Sequence, residues 1–124
     1  MFRRTFLFAL ALAACAALSL AQEGSGKKQA KITGFLIDNA CAATHGTDVQ
    51  AKQHKTACAL SPEGERSGFA VVSRNVVYKL DEQGSKLAHD ILKESKTKKG
   101  LAVQVEGTLV GDTISVDSIA EVQP

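Results

Sequence analysis

Leu101-Ala102-Val103-Gln104-Val105-Glu106-Gly107-Thr108-Leu109-Val110-Gly111-Asp112-Thr113-Ile114-Ser115-Val116 alternates in a way that only a half-buried strand pair explains. Leu101, Val103 and Val105 fall on one side, and Ala102, Gln104 and Glu106 on the other. Gly107 breaks the pattern and Leu109 resumes it, which predicts the sharp coiling of a barrel corner. Gly111-Asp112 turns the chain, and Ile114, Val116, Ile119 and Val122 carry a last strand.

Before this pair, Leu87 and Ile91, with Ala88 and Leu92, form one apolar stripe at helical spacing. The stripe predicts a helix over Lys86–Ser95, capped by Ser85 after a turn at Asp81–Ser85 that contains Gly84. Lys93 and Lys96 lie near its C-terminus, where the helix dipole favours cations. Lys93, Lys96, Lys98 and Lys99 make a local basic patch, read as a solvated face. Phe69-Ala70-Val71-Val72 and Val76-Val77-Tyr78 flank Ser73-Arg74-Asn75, a hairpin by length and turn chemistry. Lys31-Ile32-Thr33-Gly34-Phe35-Leu36-Ile37-Asp38 reads as the first strand, with Gly34 marking a bulge or a close backbone approach. The predicted fold is therefore mainly β. Its element order is that of an OB-fold-like five-stranded Greek-key barrel with one helix between strands 3 and 4.

Asn39–Glu65 interrupts this order and holds almost no large apolar residue beyond Val49 and Leu60. Ala40–His45 reads as one helical turn capped by Asp38 or Asn39. Thr47 or Asp48 caps a second helix over Val49–Cys58, which Ser61-Pro62-Glu63-Gly64 ends. Four residues here can carry chemistry: Cys41, His45, His54 and Cys58, spaced C-x3-H-x8-H-x3-C. Helical turns would put Cys41 and His45 on one face, and His54 and Cys58 on another. The first expectation is a Cys41–Cys58 disulfide, worth about 3 kcal/mol by chain-entropy reasoning and pinning a segment too poor in apolar mass to bury itself. A second is a zinc or copper site made of the two thiolates and two imidazoles. Reduced or redox-active thiols are a third. Asp38 is an N-cap candidate that can also orient an imidazole, and His89 sits on the polar face of the predicted helix.

The N-terminus reads as an address. Arg3-Arg4 precedes a charge-free apolar run over Phe6–Leu20, and Ser19-Leu20-Ala21 has small residues where a signal peptidase cuts. The run is too short for a spanning helix. Leu12-Ala13-Ala14-Cys15 offers a competing lipobox, in which Cys15 is acylated and tethers the chain to a membrane. Residues 1–21 are then a signal peptide, 22–30 a flexible tether around Gly24-Ser25-Gly26, and 31–122 the domain.

The chain has 124 residues, with 15 basic and 13 acidic ones, and the address removes Arg3 and Arg4 and no acid. The mature chain is neutral, without the basic footprint of a nucleic-acid binder. Its aromatics are Phe35, Phe69 and Tyr78, too few for stacking along a single strand. No nucleophile elbow, phosphate-binding glycine loop or paired acid–base set occurs, so no enzyme is expected.

Asp38-Asn39-Ala40-Cys41 resembles the D-x-x-C opening of a group of small exported bacterial proteins with OB-like domains. Val103–Val116 resembles the V-x-V-x-G…I-x-V strands that close them. The likeness runs over residues 31–122. It departs at Leu60-Ser61-Pro62, where members carry a further Cys. The resemblance implies the fold and the export, and no activity. The expected role is a non-catalytic binding or envelope-associated module, monomeric, secreted or periplasmic, taking a protein, peptide or glycan. The alternative is a periplasmic metal-binding protein, and membrane contact follows only from lipidation at Cys15. The intact mass of the exported protein is expected to be that of a chain starting at Gln22. Added acyl mass on a chain starting at Cys15 is the contrary result, and a shift of two protons reports any bridge between Cys41 and Cys58.

Overall fold

The computed structural model describes residues 27–123. The expected signal peptide with Cys15, and residues 22–26 of the expected tether, lie outside the described residues. Five strands form a closed barrel in the order β1-β2-β3-β5-β4: β1 Lys27–Asp38, β2 Phe69–Ser73, β3 Val76–Leu80, β4 Ala102–Val110 and β5 Thr113–Glu121. All pairings are antiparallel except β3 with β5. Helix α4, Glu82–Glu94, lies between β3 and β4, so the fold is the mainly β, OB-like barrel that the element order predicts. No helix among the described residues is long and apolar enough to cross a membrane.

Three glycine-dependent or turn features shape the barrel. At Gly34, β1 passes from β4 to β2: Phe35 is in register with Ala102 on one side and Val72 on the other. A Cβ at Gly34 would lie 2.2 Å from the Val72 carbonyl oxygen, so only glycine permits that approach. At Gly107 the β4–β5 register slips, because Glu106 faces Ser118 while Gly107 faces Val116, leaving Asp117 as the extra residue of a bulge. The slip explains the change of parity in β5, from buried Ile114 and Val116 to half-buried Ile119. The β2–β3 hairpin turns on Arg74 and Asn75, both at positive φ (53° and 66°), the conformation a tight two-residue turn requires.

The barrel interior is filled by Leu36, Phe69, Val71, Leu80, Leu101, Val103, Val105, Ile114 and Val116, with Ala88 and Leu92 of α4 closing one end. A second, smaller cluster lies on the outer face of β1 and β2: Ile37, Ala70 and Val72 are buried under Ala51.

Two boundaries differ from the sequence reading. The first strand starts at Lys27, since β4 is long enough to pair with it down to Val110, so residues 27–30 are strand and not tether. Helix α4 starts at Glu82 because Asp81, not Ser85, is its cap. Asp81 Oδ1 accepts from the Gly84 amide at 2.8 Å and from the Val116 amide at 3.3 Å, fastening the helix start to β5. Gly84 is in the helix where a Cβ would meet Val116 Cγ2 at 2.4 Å, and Ser85 Oγ instead accepts from the Phe69 amide.

A Cβ at Gly107 would lie 2.1 Å from the Ser115 carbonyl oxygen, whereas one at Gly111 (φ 65°) meets nothing within 4 Å. Gly107→Ala is expected to cost about 3 kcal/mol through a forced backbone shift. Gly111→Ala is expected to cost about 1 kcal/mol of conformational strain. Urea midpoints of the two variants measure the difference.

Candidate functional site

The connection between β1 and β2 carries the chemistry. It contains a 3-10 turn at Asn39–Cys41 and three short helices, α1 Asp48–Ala51, α2 Thr56–Ala59 and α3 Pro62–Ser67. Local capping fixes each piece. Thr47 caps α1 through the Gln50 amide, and Ser61 caps α3 through the Gly64 amide with Pro62 in its first turn. Ser61-Pro62-Glu63-Gly64 thus begins a helix instead of ending one. The Val49–Cys58 helix of the sequence reading is broken in two, with His54 at the break.

The connection is held to the barrel at several points. Its base is closed by the Asn39 amide on the Gly68 carbonyl (2.9 Å) and by Asn39 Nδ2 on the Ser67 carbonyl (2.8 Å). Asp48 and Asn75 exchange side chain-to-amide hydrogen bonds of 2.9 and 3.0 Å, tying α1 to the hairpin turn. The Thr56 amide donates to the Lys98 carbonyl and the Thr56 hydroxyl to the Thr97 carbonyl, while the Gly100 amide donates to the His54 carbonyl. His89 Nε2 and Glu65 Oε2 meet at 2.6 Å, joining α4 to α3, so His89 is a fastening and not a free surface residue. The buried apolar side chains of the connection are alanines, Ala51 and Ala59, both fully buried, while Val49 is 77% exposed.

These contacts bring Asp38, Cys41 and His54 together. Asp38 ends β1 and is 1% exposed, and His54 is 4% exposed. His54 Nε2 donates to Asp38 Oδ1 at 2.8 Å. Asp38 therefore occupies the N-cap backbone position of the 3-10 turn but gives its side chain to the imidazole. A carboxylate oxygen of Asp38, Cys41 Sγ and a ring nitrogen of His54 all lie within 4.8 Å of one another.

The remaining two candidates stand outside this trio. The His45 ring meets His54 edge-on with centroids 5.0 Å apart, and its Nδ1 is 3.1 Å from the Thr44 hydroxyl. Cys58 is exposed on α2. The expected Cys41–Cys58 disulfide is not formed, and both are free thiols. The physical reason for expecting it, a segment unable to hold itself down, is met by buried alanines and by hydrogen bonds to β1, the hairpin turn and residues 97–100. Of the C-x3-H-x8-H-x3-C set, Cys41 and His54 converge. The third member, Asp38, was visible in sequence as a residue able to orient an imidazole, but its distance along the chain from His54 hid the pairing.

Electrostatics follow from position. Burial lowers the pKa of His54 from 6.5, the Asp38 carboxylate pulls it up, and His45 lowers it further. Burial, then the Asp38 charge and the thiol's hydrogen bond to Asp38, push Cys41 from 9.0 up to about 11, with smaller contributions from Cys58 and Glu63. At neutral pH Cys41 is a thiol, not a ready nucleophile.

Comparison with protein-family models, curated proteins and solved structures returns no match.

Because the folded pKa of His54 lies below 6.5, the unfolded chain binds more protons under that value, so stability falls as pH drops through 6.5. Because the folded pKa of Cys41 lies near 11, its contribution is complete below 9.0 and is lost as pH rises through the window from 9.0 to about 11. Urea midpoints plotted against pH are expected to peak between these limits, with His54→Gln flattening the acid side and Cys41→Ser the alkaline side.

Proposed function

We propose that this chain is an exported, non-catalytic binding module and that its ligand is a borderline transition-metal ion, zinc before copper, held by Asp38, Cys41 and His54. The observation that carries the reading is the convergence of three unlike donor atoms within 4.8 Å, two of the three residues being almost fully buried. A carboxylate oxygen, the sulfur of Cys41 once the metal has displaced its proton to solvent, and an imidazole nitrogen make a mixed donor set that suits zinc, whereas copper(I) is selected by softer, sulfur-rich sets without a carboxylate. The fourth tetrahedral position falls to His45, beside His54, or to a water.

Two features support placing the ligand here and not on the barrel wall. In OB-folds the face of strands 2 and 3 and the flanking connections serve as binding surfaces. In this chain the outer face of β2 at Ala70 and Val72 is buried under Ala51, and the β4–β5 connection is the short turn Gly111–Asp112. The β1–β2 connection is the part left to specialise. The proposed export rests on the leader pattern, with anchoring at Cys15 as its alternative form.

Zinc is expected to raise the melting temperature of the reduced protein at one ion per chain, by an amount corresponding to about 2.7 kcal/mol at a hundredfold excess over Kd. Cys41→Ser and His54→Ala are each expected to weaken binding more than about 100-fold, beyond the cost of losing an outer partner of a metal ligand. Cobalt substitution should give a sulfur-to-metal charge-transfer band that Cys41→Ser abolishes. An unchanged melting temperature in zinc, or a Cys41→Ser variant that titrates like the parent, overturns the reading and leaves Asp38–His54 as a structural pair.

A further inference from the structure

We propose a second binding site, for a free single-chain amphiphile with an anionic head, in the cavity between α2 and the segment that follows α4. This site is independent of the metal reading. The cavity has a volume of about 770 Å³, within the range of sites that enclose small ligands. Its floor is apolar, formed by Leu92, which is buried, and Leu60, which is partly so. Five lysines surround it: Lys55 from the start of α2, Lys93 from α4, and Lys96, Lys98 and Lys99 from the following segment.

These lysines differ from a scattered solvated face in two ways. Among the described residues, none of the five forms an ion pair with a carboxylate, and the single lysine that does is Lys79 with Asp112. Lys99 Nζ reaches only the Gln53 amide oxygen, at 3.4 Å. One neighbouring acid, Glu121, is already engaged, its Oε2 accepting from the Ser95 and Thr97 hydroxyls at 2.9 Å each. The segment carrying three of the lysines is also fixed in place. Thr97 and Lys98 give their carbonyls to Thr56, and Lys55 and Lys99 form a β-bridge. The backbone that carries three of the cations is thus already held beside an apolar hollow, so binding need order only their exposed side chains.

The lining chemistry selects the ligand class. No aromatic ring lines the cavity, which removes the stacking surface that bases require. Lysine stems extend the apolar wall while their ammonium groups ring the mouth. A carboxylate or phosphate head at the rim with an alkyl chain on Leu60 and Leu92 satisfies both parts.

The test is a titration of the isotope-labelled full chain with laurate below its micelle concentration, followed by NMR. Saturable shifts at Thr56, Leu60, Leu92 and Thr97 are expected. The triple variant Lys96→Gln/Lys98→Gln/Lys99→Gln should keep the parent's urea midpoint, since all three side chains are exposed, and bind laurate at least about tenfold more weakly, or about 1.4 kcal/mol. Dodecyl phosphate should compete with laurate, and inorganic phosphate alone should not. The inference fails if the shifts do not saturate or map elsewhere, if the triple variant binds as tightly as the parent, or if the protein binds anionic vesicles but not monomeric laurate.

Discussion

Every feature of the candidate site depends on one constraint: residues 39–68 leave the barrel between two neighbouring strands and must be fastened down without large apolar side chains. The barrel supplies a rigid base, since Asp38 and Phe69 are paired across β1 and β2 and the Asn39–Gly68 contacts close the connection immediately beyond them. From that base the connection folds back over the outer wall. Ala51 fills the space over Ile37, Ala70 and Val72, and an alanine fits because the two backbones lie close. The buried His54–Asp38 hydrogen bond then anchors the break between α1 and α2 to the end of β1.

That fastening is what makes a small site out of dispersed residues. Asp38 belongs to a strand, Cys41 to a 3-10 turn and His54 to the break between two helices. Their convergence depends on contacts with residues outside the trio, including the Gly100 amide on the His54 carbonyl. A cluster built this way has its carboxylate and imidazole out of water, where charge interactions are stronger than at the surface and unpaired groups are costly. The same stitching orders residues 97–100, so one set of hydrogen bonds shapes both the buried trio and the lysine-rimmed hollow next to it.

The barrel was legible because its signals are local. Alternation in Leu101–Val110, the glycine at 107 and the Arg74-Asn75 turn each act over a few residues. The connection was not, because its stabilising contacts are either between small side chains or between residues far apart in sequence. Alanines at 51 and 59 carry no periodic apolar stripe, yet both are fully buried. Ser61-Pro62 followed by Glu63 and Glu65 is a helix-start signal that a turn reading absorbed. The sequence reading assigns the cap to Ser85 and leaves Asp81 in the turn. The cap falls to Asp81, whose Oδ1 accepts from the Gly84 amide and also from the Val116 amide far along the chain. The expected Cys41–Cys58 bridge rests on the need to pin an apolar-poor segment, and that need says nothing about which way each side chain faces.

The handover of β1 at Gly34 also sets an order of events. Residues 27–35 find their neighbours in residues 102–110, at the far end of the chain. The first half of β1 is therefore among the last segments to be paired, although its end pairs earlier with β2, and contacts of such long sequence separation form slowly. Until β4 has been synthesised, the nascent polypeptide has no closed cylinder to hold it together. In a protein laid out this way, ring closure waits for residues 102–110 and cannot begin from the early hairpin alone.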